Sequence, residues 1–505
     1  MRNITVQNII DATGGRLICG DAKTPIEHIA LDSRVMEGAD LFIPIIGAKT
    51  DGHLYIAKAF EMGAAATLTS EHNDAAEVEA AYGAAALDKA FIRVDDTVKA
   101  LQRFGAYLRE RMTMPFIGIT GSVGKTTTRE MVTCALGSGA RVTATAGNSN
   151  SQVGVPVTLS KLDETADIAV TELGMSEPGE MSKITAIARP QIAIMTNIGV
   201  SHIENLGSQE NIMREKLHIT DAFTEDGILI VNGDDALLKG LKGSLHFTVI
   251  TYGFADDCDI RAKGFAATDE GSSFIVTFPH ELPVITRKSD GSLFAINRPC
   301  EYADGLKVSL KIPGRHMAGN ALAALAACAV NGICLAGAAQ ALSGFSGFNR
   351  RLEIIRGERF TIIDDAYNAS PDSMKASLEV LSSMPASGKK IAVLADMLEL
   401  GENAPLYHRQ VGEFINTLSV SQVVTIGELA KNISDEVAAG PGAGESAGDG
   451  ACASGAAIGA VHFAGNADAL EYLTNIISEG DIVLFKGSNG MKLSEIVAPI
   501  KEKIS

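Results

Sequence analysis

The chain has 505 residues, enough for about three domains of ordinary size. Its composition, 46% hydrophobic and 21% charged, is that of a globular protein with ample chain for a core, and a net charge of −18 excludes a nonspecific nucleic-acid binder. Seven scattered cysteines without a C-x-x-C pair exclude a disulfide framework and a zinc ligand set, and the sequence has neither an apolar leader nor a run of about 20 apolar residues, so the cytoplasm is the expected location.

Up to about Val98, short apolar runs such as Asp40-Leu41-Phe42-Ile43-Pro44 are broken by Gly and polar turns, with one helical stretch from Tyr55 to Met62. Residues 1–98 are therefore read as a small mixed α/β domain. In residues 99–347 a helical segment, Ala100 to Arg111, leads into an apolar strand, Phe116 to Thr120, then a glycine loop and a helix from Thr126. Further buried-type strands follow at Ile168 to Leu173, Ile192 to Asn197 and Ile228 to Asn232, a pattern that predicts a mostly parallel sheet. Between Asp256 and Leu310 the runs shorten, as in an antiparallel edge, and an Ala-rich helix, His316 to Val330, closes the region. Residues 348–505 alternate strands at Phe360 to Asp364, Lys390 to Ala395, Gln422 to Ile426 and Ile482 to Phe485 with helices, which predicts a second open α/β sheet. Residues 438–460, dense in Gly, Ala and Ser, are read as a flexible surface insertion.

The segment Thr120-Gly121-Ser122-Val123-Gly124-Lys125-Thr126 lies between a predicted strand and a predicted helix, the context of a phosphate-binding loop. Gly121 and Gly124 let the backbone wrap phosphate oxygens, and the helix N-terminus adds partial positive charge. Lys125 supplies a cation for the terminal phosphates, and the Thr126 hydroxyl can ligate Mg²⁺. The strict G-x-x-x-x-G-K-[ST] pattern asks for Gly where Ile119 stands. Such a loop identifies a nucleotide site, and kinases, GTPases, motors and ligases all use one.

The variant Thr-Gly-x-x-Gly-Lys-Thr resembles that of the Mur ligases and their folylpolyglutamate-synthetase relatives, and further motifs spanning nearly the whole chain fit the Mur pattern. The resemblance implies three domains: a UDP-muramoyl-binding domain over 1–98, a central P-loop ATPase-like domain over 99–347 and a Rossmann-like ligase domain over 348–505. It implies ATP binding by Gly121, Ser122, Val123, Gly124, Lys125, Thr126 and Thr127, with Asn320, Arg351 and Asp365 as further nucleotide contacts. Mg²⁺ is expected on Thr126, Glu172, His202 and Lys216, the last as a carbamate. Taken alone, Glu172 is an ordinary strand-end carboxylate, His202 a structural histidine and Lys216 a solvated helix lysine. His218 stands where the family carries Glu, and Arg350 stands where many relatives carry Gly.

The runs Asp364 to Met374, Ala395 to Gly401 and Lys486 to Met491 are similar to those of the family member that joins D-alanyl-D-alanine to UDP-N-acetylmuramoyl-tripeptide. The resemblance therefore implies these two substrates and an acyl-phosphate route, with Lys125, Lys216, His202 and Arg351 as the catalytic set and a monomeric enzyme. Ser33, Arg34, Thr50, Asp51 and His53 are expected at the uridine-diphosphate end, Asn148 and Asn150 at the muramoyl part, and Tyr367, Asn368 and Lys486 near the incoming amine. Two other readings stay open on the residues: an amide ligase for a different peptide or a folate-like acid, and a nucleotide-binding scaffold without turnover.

Overall fold

The computed structural model describes residues 1–47, 49–268, 271–348, 350–440 and 458–504. Most of the insertion expected at 438–460 thus lies outside the described residues. The two ends of that insertion are regular structure instead: the helix Lys431–Ala439 runs into it, and the strand Gly459–Phe463 leaves it paired in parallel to Gln422–Ile426.

The amino-terminal sheet has five strands in the order Arg16–Cys19, Ala90–Arg93, Ala64–Thr69, Asp40–Phe42, His28–Ala30, parallel except for the first pair. The helix Thr97–Glu110 is amphipathic, and its buried Ala100, Leu101, Phe104 and Leu108 pack into the core of this sheet beside Ile9, Leu41 and Ile92. Its sequence thus leads into the next sheet while its apolar face belongs to the first.

The central sheet has nine strands, ordered Leu306–Leu310, Gly271–Thr277, Ile260–Thr268, Thr248–Gly253, Ile228–Asn232, Ile192–Met195, Phe116–Thr120, Ile168–Glu172, Val142–Ala144. It is parallel from Val142–Ala144 through Ile260–Thr268, and the last two strands are antiparallel, as the shortened runs predicted. Strands such as Phe-Ile-Gly-Ile-Thr are buried on both faces, so they read as continuous apolar runs rather than alternations. Each fully buried Ile or Leu of these strands contributes about 1.5–3 kcal/mol. The helix Arg315–Val330 packs on the helix Lys125–Leu136, with Ala321, Ala324 and Cys328 sharing a core with Met131, Val132 and Ala135. A separate hairpin, Glu281–Arg287 with Leu293–Pro299, was not distinguishable in sequence from the sheet's antiparallel edge.

The third sheet has six strands in the order Glu353–Arg356, Thr361–Asp364, Ile482–Lys486, Lys390–Ala395, Gln422–Ile426, Gly459–Phe463, parallel except for the first pair. Ligands of such open sheets bind at the carboxyl ends of the strands. The segments following Phe116–Thr120, Ile168–Glu172 and Thr361–Asp364 all meet at one cleft.

Candidate active site

The cleft has a volume of about 630 Å³. Of the residues expected at the site, Ser122, Val123, Gly124, Lys125, Thr126, Thr127, Asn148, Asn150, Glu172, His202, Asn320, Arg351, Asp365, Tyr367, Asn368 and Lys486 line it. Gly121 and Lys216 lie directly behind its wall, and Ser33, Arg34, Thr50, Asp51 and His53 lie away from it in the amino-terminal domain.

The loop's shape is fixed from below. Gly121 has φ 147° and Gly124 φ 83°, and a Cβ on Gly121 would stand 1.9 Å from Thr196 Oγ1. The Ser122 and Val123 amides donate to the Asn197 carbonyl and side chain at 3.0 and 2.8 Å, and the Gly199 amide donates to Ser122 Oγ at 2.9 Å. Lys125 opens the helix Lys125–Leu136, and its ammonium donates to the Gly121 carbonyl at 2.8 Å. Burial lowers the Lys125 pKa, the Glu172 carboxylate opposes that shift, and Arg351 adds to it. An anion between Lys125 and Arg351 relieves that strain, which is the electrostatic requirement of a phosphate site.

Thr126 Oγ1 donates to Glu172 Oε2 at 2.8 Å, and Asn150 Nδ2 donates to Glu172 Oε1 at 2.7 Å. Lys216 is 1% exposed and its ammonium donates to the Gly121 carbonyl at 3.1 Å. Burial, reinforced by Lys125, holds its pKa far below the ordinary lysine range, with Glu215 opposing. A buried amine that is readily neutral suits carbamylation, because only the free amine attacks CO₂. The His202 pKa is pushed down to about 4, by burial first and then by Lys216 and Lys125. Its Nδ1 lies 2.9 Å from the carboxylate of Glu399, which is 67% exposed and therefore screened by water. Hard oxygen donors with one neutral imidazole fit a Mg²⁺ ion, so the residues present suit the metal that the sequence implied.

A second ligand-like group, Asp51, His53 and Glu71, has its donor atoms within 4.8 Å of one another. His53 Nε2 accepts from the Ser70 amide at 3.1 Å, so Nδ1 carries the proton and donates to Asp51 Oδ1 at 2.7 Å. Both ring nitrogens are thereby used, and no lone pair is left for a cation. His53 is 2% exposed and holds this turn together, whereas Arg34 is exposed and pairs with Asp32 at 2.6 Å.

The carboxy-terminal sheet contributes the other wall. The Arg351 guanidinium lies 4.0 Å from the Tyr367 ring centroid. Arg350 donates to the Ala366 carbonyl at 2.6 Å and does not line the cleft, so of the two arginines Arg351 faces it. Asp365 accepts from the buried Lys486 ammonium, from Ser377 and from the Leu352 amide, which ties the Asp365 to Asn368 turn to the strand Ile482–Lys486. Asn320 accepts from Thr128 Oγ1 at 3.1 Å, beside Gly124.

Three residues at the site were not singled out from sequence. Arg129 is fully buried beneath Glu172, His316 lines the cleft, and Glu399 reaches His202 from the other domain. The His316 pKa is pushed down to about 4 by burial, with Asp365 opposing, and its buried Nδ1 has no hydrogen-bond partner among the described residues. His316 lies four residues before Asn320 on the helix Arg315–Val330, and that spacing, one helical turn, was the available signal.

A phosphate loop at the switch point of a parallel sheet, faced by an arginine from a second open sheet, defines a nucleotide-dependent enzyme whose site lies between the two sheets. Family models match in three segments: "Mur ligase family, catalytic domain" over residues 25–108, "Mur ligase middle domain" over 119–328, and "Mur ligase, glutamate ligase domain" over 350–489. The chain is 36% identical over 503 residues to the UDP-N-acetylmuramoyl-tripeptide–D-alanyl-D-alanine ligase of Bacillus subtilis, covering 99% of this chain and 98% of that one. It is 29% identical over 505 residues to the enzyme of the same name from Escherichia coli, covering 99% of each. A crystal structure of MurF from Acinetobacter baumannii superposes with a TM-score of 0.82 at 27% identity, over 99% of this chain and 98% of that one. The chain belongs to the Mur ligase family, and it is an ATP-dependent ligase.

Proposed function

We propose that the chain joins the terminal carboxylate of UDP-N-acetylmuramoyl-tripeptide to the amine of D-alanyl-D-alanine at the cost of one ATP, a step in peptidoglycan precursor synthesis. Relatives with this activity in their names match the chain from end to end. The observation that carries the chemistry is the pairing of Lys125 and Arg351, from different domains, across one cleft.

A carboxylate is a poor electrophile. Its oxygen attacks the γ-phosphorus of ATP, the bond to the β–γ bridging oxygen breaks, and an acyl phosphate and ADP form. The amine then attacks the acyl carbon, giving a tetrahedral intermediate. That intermediate expels phosphate, loses the amine proton and leaves the amide. The protein supplies position and charge rather than a covalent nucleophile.

Lys125 and Arg351 offset the charge on the moving phosphoryl group. Gly121 to Thr127 cradle the phosphates, and Asn320 and Asp365 complete the nucleotide site. Thr126, Glu172, His202 and the carbamate of Lys216 would hold Mg²⁺, which supplies Lewis-acid neutralisation of the phosphate oxygens. Ser33, Arg34, Thr50, Asp51, His53, Asn148 and Asn150 serve the UDP-muramoyl moiety, with His53 shaping its turn. Tyr367, Asn368 and Lys486 serve the incoming dipeptide. In this reading residues 1–98, 99–347 and 348–505 are the three working units of a cytoplasmic monomer. Among the described residues no helix is long and apolar enough to cross a membrane.

The test is phosphate release with each substrate omitted in turn. Release that needs ATP, the UDP-muramoyl-tripeptide and D-alanyl-D-alanine together supports the proposal. Release that is indifferent to the dipeptide overturns it.

A further inference from the structure

Arg129 stands outside the loop, the metal set and every motif singled out in the sequence, yet it is fully buried against Glu172, just beneath the cleft. A buried guanidinium is retained only where its donors are answered. Its Nε donates to Glu130 Oε1 at 3.1 Å, and its Nη2 donates to the same oxygen. The remaining nitrogen, Nη1, divides between two acceptors: the Gly147 carbonyl at 2.6 Å and Glu172 Oε2 at 3.3 Å.

These two acceptors belong to different parts of the machinery. Glu172 ends the strand Ile168–Glu172 and faces the cleft. Gly147 begins the turn that carries Asn148 and Asn150, and Asn150 returns to the other oxygen of Glu172 at 2.7 Å. The Gly174 amide closes the ring by donating to the Asn150 carbonyl at 2.8 Å. One nitrogen of Arg129 thus fixes both the carboxylate and the base of the loop that approaches it from the opposite side. Glu130 balances the guanidinium charge, so the cation can orient Glu172 without adding an unpaired positive charge beside a metal.

We propose that Arg129 is a positioning residue for the metal centre, holding Glu172 in its metal-ready orientation and locking the Gly147 to Asn150 turn against it. The inference rests on the reading of Glu172 as a Mg²⁺ ligand. Groups that orient metal ligands typically carry about 10–100-fold of metal affinity. Lysine at 129 retains the charge but loses the planar fork, so it reaches one acceptor and not both.

The experiment is calorimetric binding of ADP to the full chain in EDTA and in excess Mg²⁺, for wild type, Arg129→Lys, Arg129→Met and Glu172→Gln, with Tm recorded for each. The expected result is that Arg129→Lys binds ADP in EDTA within about twofold of wild type, while the gain in affinity on adding Mg²⁺ shrinks by about tenfold. Arg129→Met should behave likewise, and if it fails to fold, Arg129→Lys decides alone. An undiminished Mg²⁺ gain in Arg129→Lys, with Glu172→Gln abolishing it, overturns the role of Arg129 and leaves the metal reading intact. An undiminished gain in Glu172→Gln overturns the metal reading itself. Equal weakening in EDTA and in Mg²⁺ reduces Arg129 to a packing residue and also overturns the proposal.

Discussion

The Thr126 hydroxyl donates to the Glu172 carboxylate over 2.8 Å, joining the first turn of the phosphate-loop helix to the end of the adjacent strand. The two residues lie 46 positions apart in sequence and were read from separate motifs. They meet because Phe116–Thr120 and Ile168–Glu172 are parallel neighbours, so their carboxyl ends emerge side by side. Thr126→Ala and Glu172→Gln should therefore not be additive in MgADP affinity. A double-mutant cycle by calorimetry should give a coupling of about 0.5–3 kcal/mol.

Arg351 and Arg350 are adjacent but perform different tasks. Arg351→Lys retains charge but loses the guanidinium over the Tyr367 ring, and Arg351→Ala loses both. Steady-state ADP release should show kcat falling about 100-fold or more in Arg351→Ala, with a smaller fall in Arg351→Lys. Arg350→Ala removes the bond to the Ala366 carbonyl and should cost about 1–3 kcal/mol of stability in denaturant unfolding.

Gly121 and Gly147 both have positive φ, at 147° and 63°, but only Gly121 is closely overlaid. Gly121→Ala adds the clash with Thr196 Oγ1 to backbone strain, and ADP binding should be lost. Gly147→Ala meets nothing within 4 Å and should cost only about 1–2 kcal/mol of backbone strain, measured as a modest fall in Tm.

The sequence made the parallel strands legible because burial on both faces leaves continuous apolar runs, as in Phe116 to Thr120 and Ile228 to Asn232. The strand Val142–Ala144 was not legible: it is three residues long and half-buried at a sheet edge. The hairpin from Glu281 to Pro299 was merged with the sheet edge because its own alternation looks the same. At the site, residues within a motif were readable, and residues acting through another were not. Arg129 looks like any helix arginine until the Gly147 turn and Glu172 close over it. Glu399 sits in the Ala395 to Gly401 run, but its approach to His202 depends on how two sheets meet. His53 illustrates the converse, since its motif position suggested a ligand contact while its ring is bonded on both sides.

Acid sensitivity follows from the buried imidazoles. His316 falls from an ordinary 6.5 to about 4 in the folded chain, and burial lowers His408 in the same sense. Unfolding takes up protons between these values, so stability is full above pH 6.5 and declines as pH falls toward about 4. His316→Gln removes one such group. Its Tm should drop less than that of wild type between about pH 7 and about pH 4.5 in parallel thermal scans.

In the proposed reaction the tripeptide carboxylate is phosphorylated before the amide forms. With ¹⁸O in both oxygens of that carboxylate, the phosphate released in the presence of ATP and D-alanyl-D-alanine reports whether this happens. Each phosphate should then carry one ¹⁸O atom, transferred when the acyl–oxygen bond breaks. Phosphate bearing only solvent or ATP oxygen would contradict it.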